Sequence, residues 1–247
     1  MIQKILCFVF IILTSSISVA RVFDLNKESL ASYFLVSSGT STIANKAYDL
    51  ESAAVSYDNA GISSNLSGEF GFVYANKYVT WRFGFEVMSP AKLAGVSALN
   101  AGGATLYTLS STMSGYYPKV GIEANLRTRA DSRLFIFGYT GTMSLTVTNA
   151  YTGLTIAPNA DFSYVYKGSC LATAGGLGYE LASFDTTSMV IELGTRMMEV
   201  TGTTYGENAT GFSTVTTGST ALKTDGSPRA FDFTGTFASL GFRFYLK

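Results

Sequence analysis

Between residues 66 and 88 the chain reads LSGEFGFVYANKYVTWRFGFEVM, and apolar side chains alternate along both halves of it. Leu66, Phe70, Phe72 and Tyr74 share one parity, and Val79, Trp81, Phe83, Phe85 and Val87 carry the same face onward. Ser67, Glu69, Thr80, Arg82 and Glu86 fall on the other side. A period of two is the repeat of a strand, so the stretch predicts a hairpin turning at Asn76 and Lys77. A soluble sandwich would bury that face against a second sheet, whereas a membrane barrel turns it outward to lipid.

Composition narrows the choice. Hydrophobic residues make up 47% of 247 and charged residues only 14%, with a mean hydropathy of +0.25. No stretch after the N-terminal segment has the run of about 18 apolar residues that a membrane helix needs. Apolar content without helical spans points to strands, because only helices and closed barrels satisfy their backbone groups in lipid. Twenty-five Gly, 18 Phe and 15 Tyr against four Pro fit many strands and tight turns.

Seventeen basic and 17 acidic residues balance, so no basic patch argues for nucleic acid. There is no histidine, which removes the His-dependent triads, acid–base pairs and metal sites and argues against an enzyme. Neither a cofactor nor a metal site is expected. The segment 1–20, MIQKILCFVFIILTSSISVA, has Lys4, an apolar core from Ile5 to Leu13 and a small-residue end. It reads as a secretory signal peptide cleaved after Ala20, leaving 21–247 as a single barrel domain. With Cys7 in that segment, Cys170 is the one mature thiol and is read as a packing residue.

Eight strands follow: about 31–41, the two arms of the hairpin, about 114–127, 133–148, 168–182, 188–200 and 230–247. Long connections come after the first, third, fifth and seventh (42–65, 89–113, 149–167 and 201–229), and short turns after the others. In the fifth strand Phe135, Phe137, Tyr139, Met143, Leu145 and Val147 are read as facing outward. In the last, odd Phe231, Phe233 and Phe237 give way to even Leu240, Phe242, Phe244 and Leu246, which predicts a bulge near 237–240. Tyr74, Tyr78, Trp81, Tyr139 and Tyr179 are read as an interfacial aromatic girdle. AGGLGYE, with Gly175, Gly176 and Gly178, lies inside a strand and is read as relief of crowding instead of a nucleotide loop.

The sorting of long and short connections to opposite ends predicts an all-β, eight-stranded antiparallel up-and-down transmembrane barrel with four long external loops and three short periplasmic turns. Here the chain resembles the small outer-membrane barrels of the OmpA transmembrane-domain and OmpW type, over about residues 31 to 247, in strand order, loop lengths, leader and the ending LGFRFYLK. The resemblance implies a bacterial outer-membrane location, lipid as partner and an assembly machinery that reads the last strand. Members usually end on an aromatic residue, whereas this chain ends on Lys247.

Strand parity sends Glu69, Arg82, Glu86, Lys119, Glu123, Arg127, Glu180, Glu192, Arg196 and Arg243 into the lumen, five acids and five bases. With the turn at Asn76 and Lys77, Glu69 falls opposite Gly84 and diagonal to Arg82 and Glu86. The interior of an eight-stranded barrel is filled by side chains, so these charges read as a plug of ion pairs. The expected function is non-enzymatic, in surface loops that meet an extracellular ligand or in envelope integrity. The alternatives are a narrow channel or transporter for small or hydrophobic solutes, and a soluble lipocalin-like barrel with its greasy faces inward.

Overall fold

The computed structural model describes residues 24–27, 29–40, 51–57, 64–90 and 93–246; the segment read above as a signal peptide, residues 1–20, lies outside them. Eight strands form the body: β1 (Ser29–Thr40), β2 (Ser64–Ala75), β3 (Val79–Pro90), β4 (Thr105–Thr128), β5 (Ser132–Thr152), β6 (Phe162–Ala182), β7 (Thr187–Met197) and β8 (Gly235–Tyr245). Each pairs antiparallel with the next, and β8 pairs with β1, so the ring closes. Following the cross-strand partners from Ser29 leads through Ala75, Thr80, Glu123, Phe137, Gly176, Gly194 and Phe237 to Gly39, ten residues further along β1. That stagger tilts the strands by roughly 40° and leaves an interior that side chains can fill.

The exterior is apolar. Phe34, Phe70, Phe72, Trp81, Phe83, Val120, Ile122, Leu177, Leu193, Leu240 and Phe244 are all exposed, while the charges of the same strands lie inside. This polarity is that of a transmembrane barrel, and it excludes the inward-facing lipocalin arrangement. In β1, where Tyr33 to Val36 blur the sequence pattern, Tyr33 and Leu35 point in and Phe34 and Val36 point out.

Three short turns close one end. At the first, Asn76 N–H donates to the Val79 carbonyl (2.9 Å), and the Asn76 side-chain oxygen accepts from Tyr78 and Val79 N–H. The reversal is therefore one residue later than expected, and Glu69 faces Glu86 instead of Gly84. Leu25, buried, donates its N–H to Ala130 and lies under this end of the barrel.

The opposite end differs from the expected loops. β4, β5 and β6 run for 24, 21 and 21 residues against 11 or 12 for the other five. A span needs only about 9 to 11, so these three continue as a wall well beyond the bilayer. Segments read as connections extend that wall: Leu93–Leu99 pairs with β4, Ser56–Tyr57 pairs with Leu93–Leu99, and Thr204–Tyr205 pairs with β6. Inside it stands an aromatic column. Tyr107 and Tyr151 rings lie 5.6 Å apart, Tyr151 and Phe162 4.9 Å, Phe162 and Phe212 5.0 Å, and Tyr164 and Tyr205 5.7 Å. Such offset and edge-on pairs favour one another beyond simple area burial.

One expectation about strand geometry is corrected here. No bulge interrupts β8, whose register is continuous with both neighbours; Phe231, Phe233 and Phe237 are all buried, and the even residues face out. The bulge lies instead in β4, between Asn125 and Arg127.

Candidate functional site: the ionised lumen

Nine of the ten residues assigned to the lumen are buried there: Glu69, Arg82, Glu86, Lys119, Glu123, Glu180, Glu192, Arg196 and Arg243. Arg127 is the exception. Past the β4 bulge it pairs with outward-facing Leu134 and is exposed. Its place among the bases is taken by Arg133, which is fully buried, so five acids and five bases still balance.

Near the short-turn end Arg133 holds Glu180, whose Oε2 also accepts from Arg243 at 2.9 Å. The other Glu180 oxygen accepts from the hydroxyls of Ser188 and Tyr245. Arg243 spans to Glu123 at 2.5 Å, and Glu123 lies 3.8 Å from Arg82. In the next layer Arg82 donates from Nε and Nη2 to Glu69 (3.0 and 2.8 Å) and from Nη1 to Glu192 (2.5 Å). Glu69 also accepts from the Tyr33 hydroxyl at 2.5 Å.

The direct opposition of Glu69 and Glu86 would be repulsive alone. Lys119 resolves it, its ammonium 2.7 Å from an oxygen of each. Glu86 passes the chain to Arg196 at 3.4 Å, and Arg196 donates to the Asn65 side-chain oxygen. Ionised groups are thus linked from one end of the barrel to the other.

The aromatic residues of β5 correct the expected facing of that strand. Phe135, Phe137, Tyr139, Met143, Leu145 and Val147 are all buried, and Tyr139 belongs to the lumen and not to the girdle. The reason lies in the cations. Lys119 Nζ sits 3.9 Å from the Tyr139 ring centroid, Arg82 4.8 Å from Tyr33, Arg243 5.4 Å from Phe135 and Arg196 5.8 Å from Phe237. Rings over desolvated cations add attraction that lipid could not supply. Glycines make room for them: a Cβ at Gly178 would overlap the Phe135 ring, and one at Gly194 would press on Phe237 and Phe137. The signal available in the sequence was Arg133, which shares its parity with the β5 aromatics, against Thr140, Thr142, Thr146 and Thr148 on the other parity. Of the remaining girdle residues, Tyr74, Tyr78, Trp81 and Tyr179 face outward and are exposed.

Above the bilayer a further ion pair, buried Arg229 with half-buried Glu51 at 2.6 Å, lies beside Tyr166, whose ring centroid is 5.0 Å from the guanidinium. The Tyr57 hydroxyl shares a hydrogen bond with Tyr107 (3.1 Å), and burial first, then that bond, pushes it far above the ordinary phenol range. Among the described residues no group of three His, Cys, Asp or Glu is arranged to hold a metal ion.

An eight-stranded antiparallel ring with an apolar belt and an ionised interior is the outer-membrane type of span. No family model matches the sequence, and no curated protein matches it. Solved structures do. The chain is similar to Neisserial surface protein A (6% identity over 87% of this chain and 96% of that one, TM-score 0.42) and to OprG from Pseudomonas aeruginosa (12%, 90% and 99%, 0.42). It is also similar to a major outer membrane protein from Thermus thermophilus (10%, 88% and 99%, 0.43). At such identities and scores the reading of this chain rests on its own ring of paired strands.

Proposed function

We propose that this protein is a closed, non-enzymatic barrel of the bacterial outer membrane that works through its external face, in recognition at the cell surface or in envelope integrity. The observation that carries the reading is the lumen. Five acids and five bases, all buried, are joined to one another, and Tyr33, Phe135, Tyr139 and Phe237 lie over their cations. Buried charges so linked are costly to separate, which supports a plug over a path. The aromatic column and the long walls of β4 to β6 support an external working surface. The even residues Leu240, Phe242 and Phe244 of β8, with Leu246 just after it, are all exposed and form the face that an assembly machinery would read.

Planar-bilayer recording on purified, refolded protein tests the reading. Folding is scored separately by the shift in gel migration on boiling. Folded protein that gives no stable openings supports the plug. Regular openings from folded protein would overturn it in favour of solute passage.

A further inference from the structure

The β4 bulge changes what the periplasmic rim presents. Without it Arg127 would follow Glu123 and Asn125 into the lumen; with it, Arg127 pairs with outward-facing Leu134 and Thr128 pairs with buried Arg133. The arrangement is pinned from the neighbouring turn. Asn125 N–H donates to the Tyr78 carbonyl at 2.8 Å, and its side-chain amide donates to the Asn76 and Lys77 carbonyls at 2.9 and 3.4 Å. The Thr128 hydroxyl donates to the Lys77 carbonyl at 2.9 Å. Lys77 and Arg129, on two adjoining turns, and Arg127, at the end of β4, are thereby gathered at the rim, all exposed and none in an ion pair with a described residue. Around them, Tyr78 and Leu126 are 69% and 58% exposed, and Lys77 lies 5.5 Å from the Tyr78 ring centroid. The next turn round the rim, from Ser183 to Thr186, carries exposed Phe184 and Asp185 but no base.

Three bases against one exposed acid, Asp131 of the same turn, leave a net positive patch; set beside apolar and aromatic side chains at the level where the lipid-facing surface ends, it matches the boundary between acyl chains and headgroups. We infer that this patch binds the headgroup of an anionic phospholipid of the inner leaflet, with Arg127 placed on the lipid face by the bulge and Lys77 and Arg129 flanking it. Tyr78 and Leu126 lie against the upper acyl chain. A lipid is favoured over a soluble anion because Arg127 shares the side of the sheet occupied by Leu134, not the open face of the turn. The inference rests on the transmembrane reading, and the two fail separately, since folding in detergent or bilayer is read by gel migration and lipid retention is not.

The experiment is native mass spectrometry of the folded full chain released from mixed micelles holding phosphatidylglycerol and phosphatidylcholine in equal amounts. The wild type is expected to retain phosphatidylglycerol preferentially. Each base removed is expected to lower that preference about fivefold, so the triple variant Lys77→Gln, Arg127→Gln, Arg129→Gln should retain both lipids alike. Lys167→Gln, which removes an exposed base of the β6 wall, should behave as wild type. Equal retention of the two lipids by the wild type would overturn the inference, as would an unchanged preference in the folded triple variant. Displacement of phosphatidylglycerol by millimolar inorganic phosphate would also overturn it, assigning the patch to a soluble anion.

Discussion

Arg82 is the residue whose loss the lumen should tolerate least. It donates three charge-assisted hydrogen bonds, two to Glu69 and one to Glu192. Glu69 keeps Lys119 and Tyr33 when Arg82 is removed. Glu192 keeps no cation, because Arg82 is its ion-pair partner among the described residues and its other oxygen has no hydrogen-bond partner there. Bonds of this kind contribute about 1.5 to 3 kcal/mol each. Three would sum to more than a single substitution usually costs, since Arg82 also sheds its own desolvation penalty. The net expected for Arg82→Met is about 3 to 5 kcal/mol, the range for stranding a buried charge. Glu192→Gln should cost less, because the amide can still accept from Arg82 and leaves no unpaired anion. The double variant should lie at least about 2 kcal/mol closer to wild type than the two single losses added together. Urea titration in lipid vesicles, with folded and unfolded forms separated by gel migration, measures all four corners of the cycle. A cost below about 1 kcal/mol for Arg82→Met, or strict additivity in the double variant, would refute the account of Glu192 as dependent on Arg82.

Three further outcomes follow from the same geometry. Gly178→Ala should destabilise the barrel by about 1 to 3 kcal/mol, because its methyl overlaps the Phe135 ring. Gly138→Ala, on the lipid face with its nearest neighbour at 3.9 Å, should be neutral or stabilise by up to about 1 kcal/mol; urea titration compares the two, and equal effects would argue against small-to-large packing in the lumen. Trp81, the only tryptophan, should be quenched more by lipids brominated near the headgroup than at the chain end, and an absence of quenching would contradict its outward facing. Arg229→Met should expose the 51–57 segment to added protease on intact cells, because Glu51 loses its buried partner, while the boiling-dependent gel shift stays unchanged.

The hairpin, the ring and most of the lumen were legible in the sequence because alternation in β2, β3, β4, β6 and β7 separates charge from hydrocarbon cleanly. β5 was not. Its aromatic parity resembles a lipid face, and what sends Phe135 and Tyr139 inside is a pair of cations contributed by other strands, Arg243 from β8 and Lys119 from β4. No pattern within β5 records those partners, although Arg133 hinted at them. The bulge that expels Arg127 was hidden for a similar reason, since its cause is the carbonyls of a turn about fifty residues earlier in the chain. The external wall was missed because the Ala, Gly and Asn of 93–104 carry little strand propensity. There pairing supplies what local preference lacks: Leu93–Leu99 lies against β4, and β4 against β5.

That wall has a consequence for anything that meets the protein from outside the cell. Because β4, β5 and β6 carry their ladder far past the bilayer and their neighbours are stitched onto it, adjacent points on the exposed surface come from distant parts of the chain. An antibody or phage raised against the folded molecule should lose its grip on boiled protein, and short synthetic peptides copied from single segments should compete with it poorly.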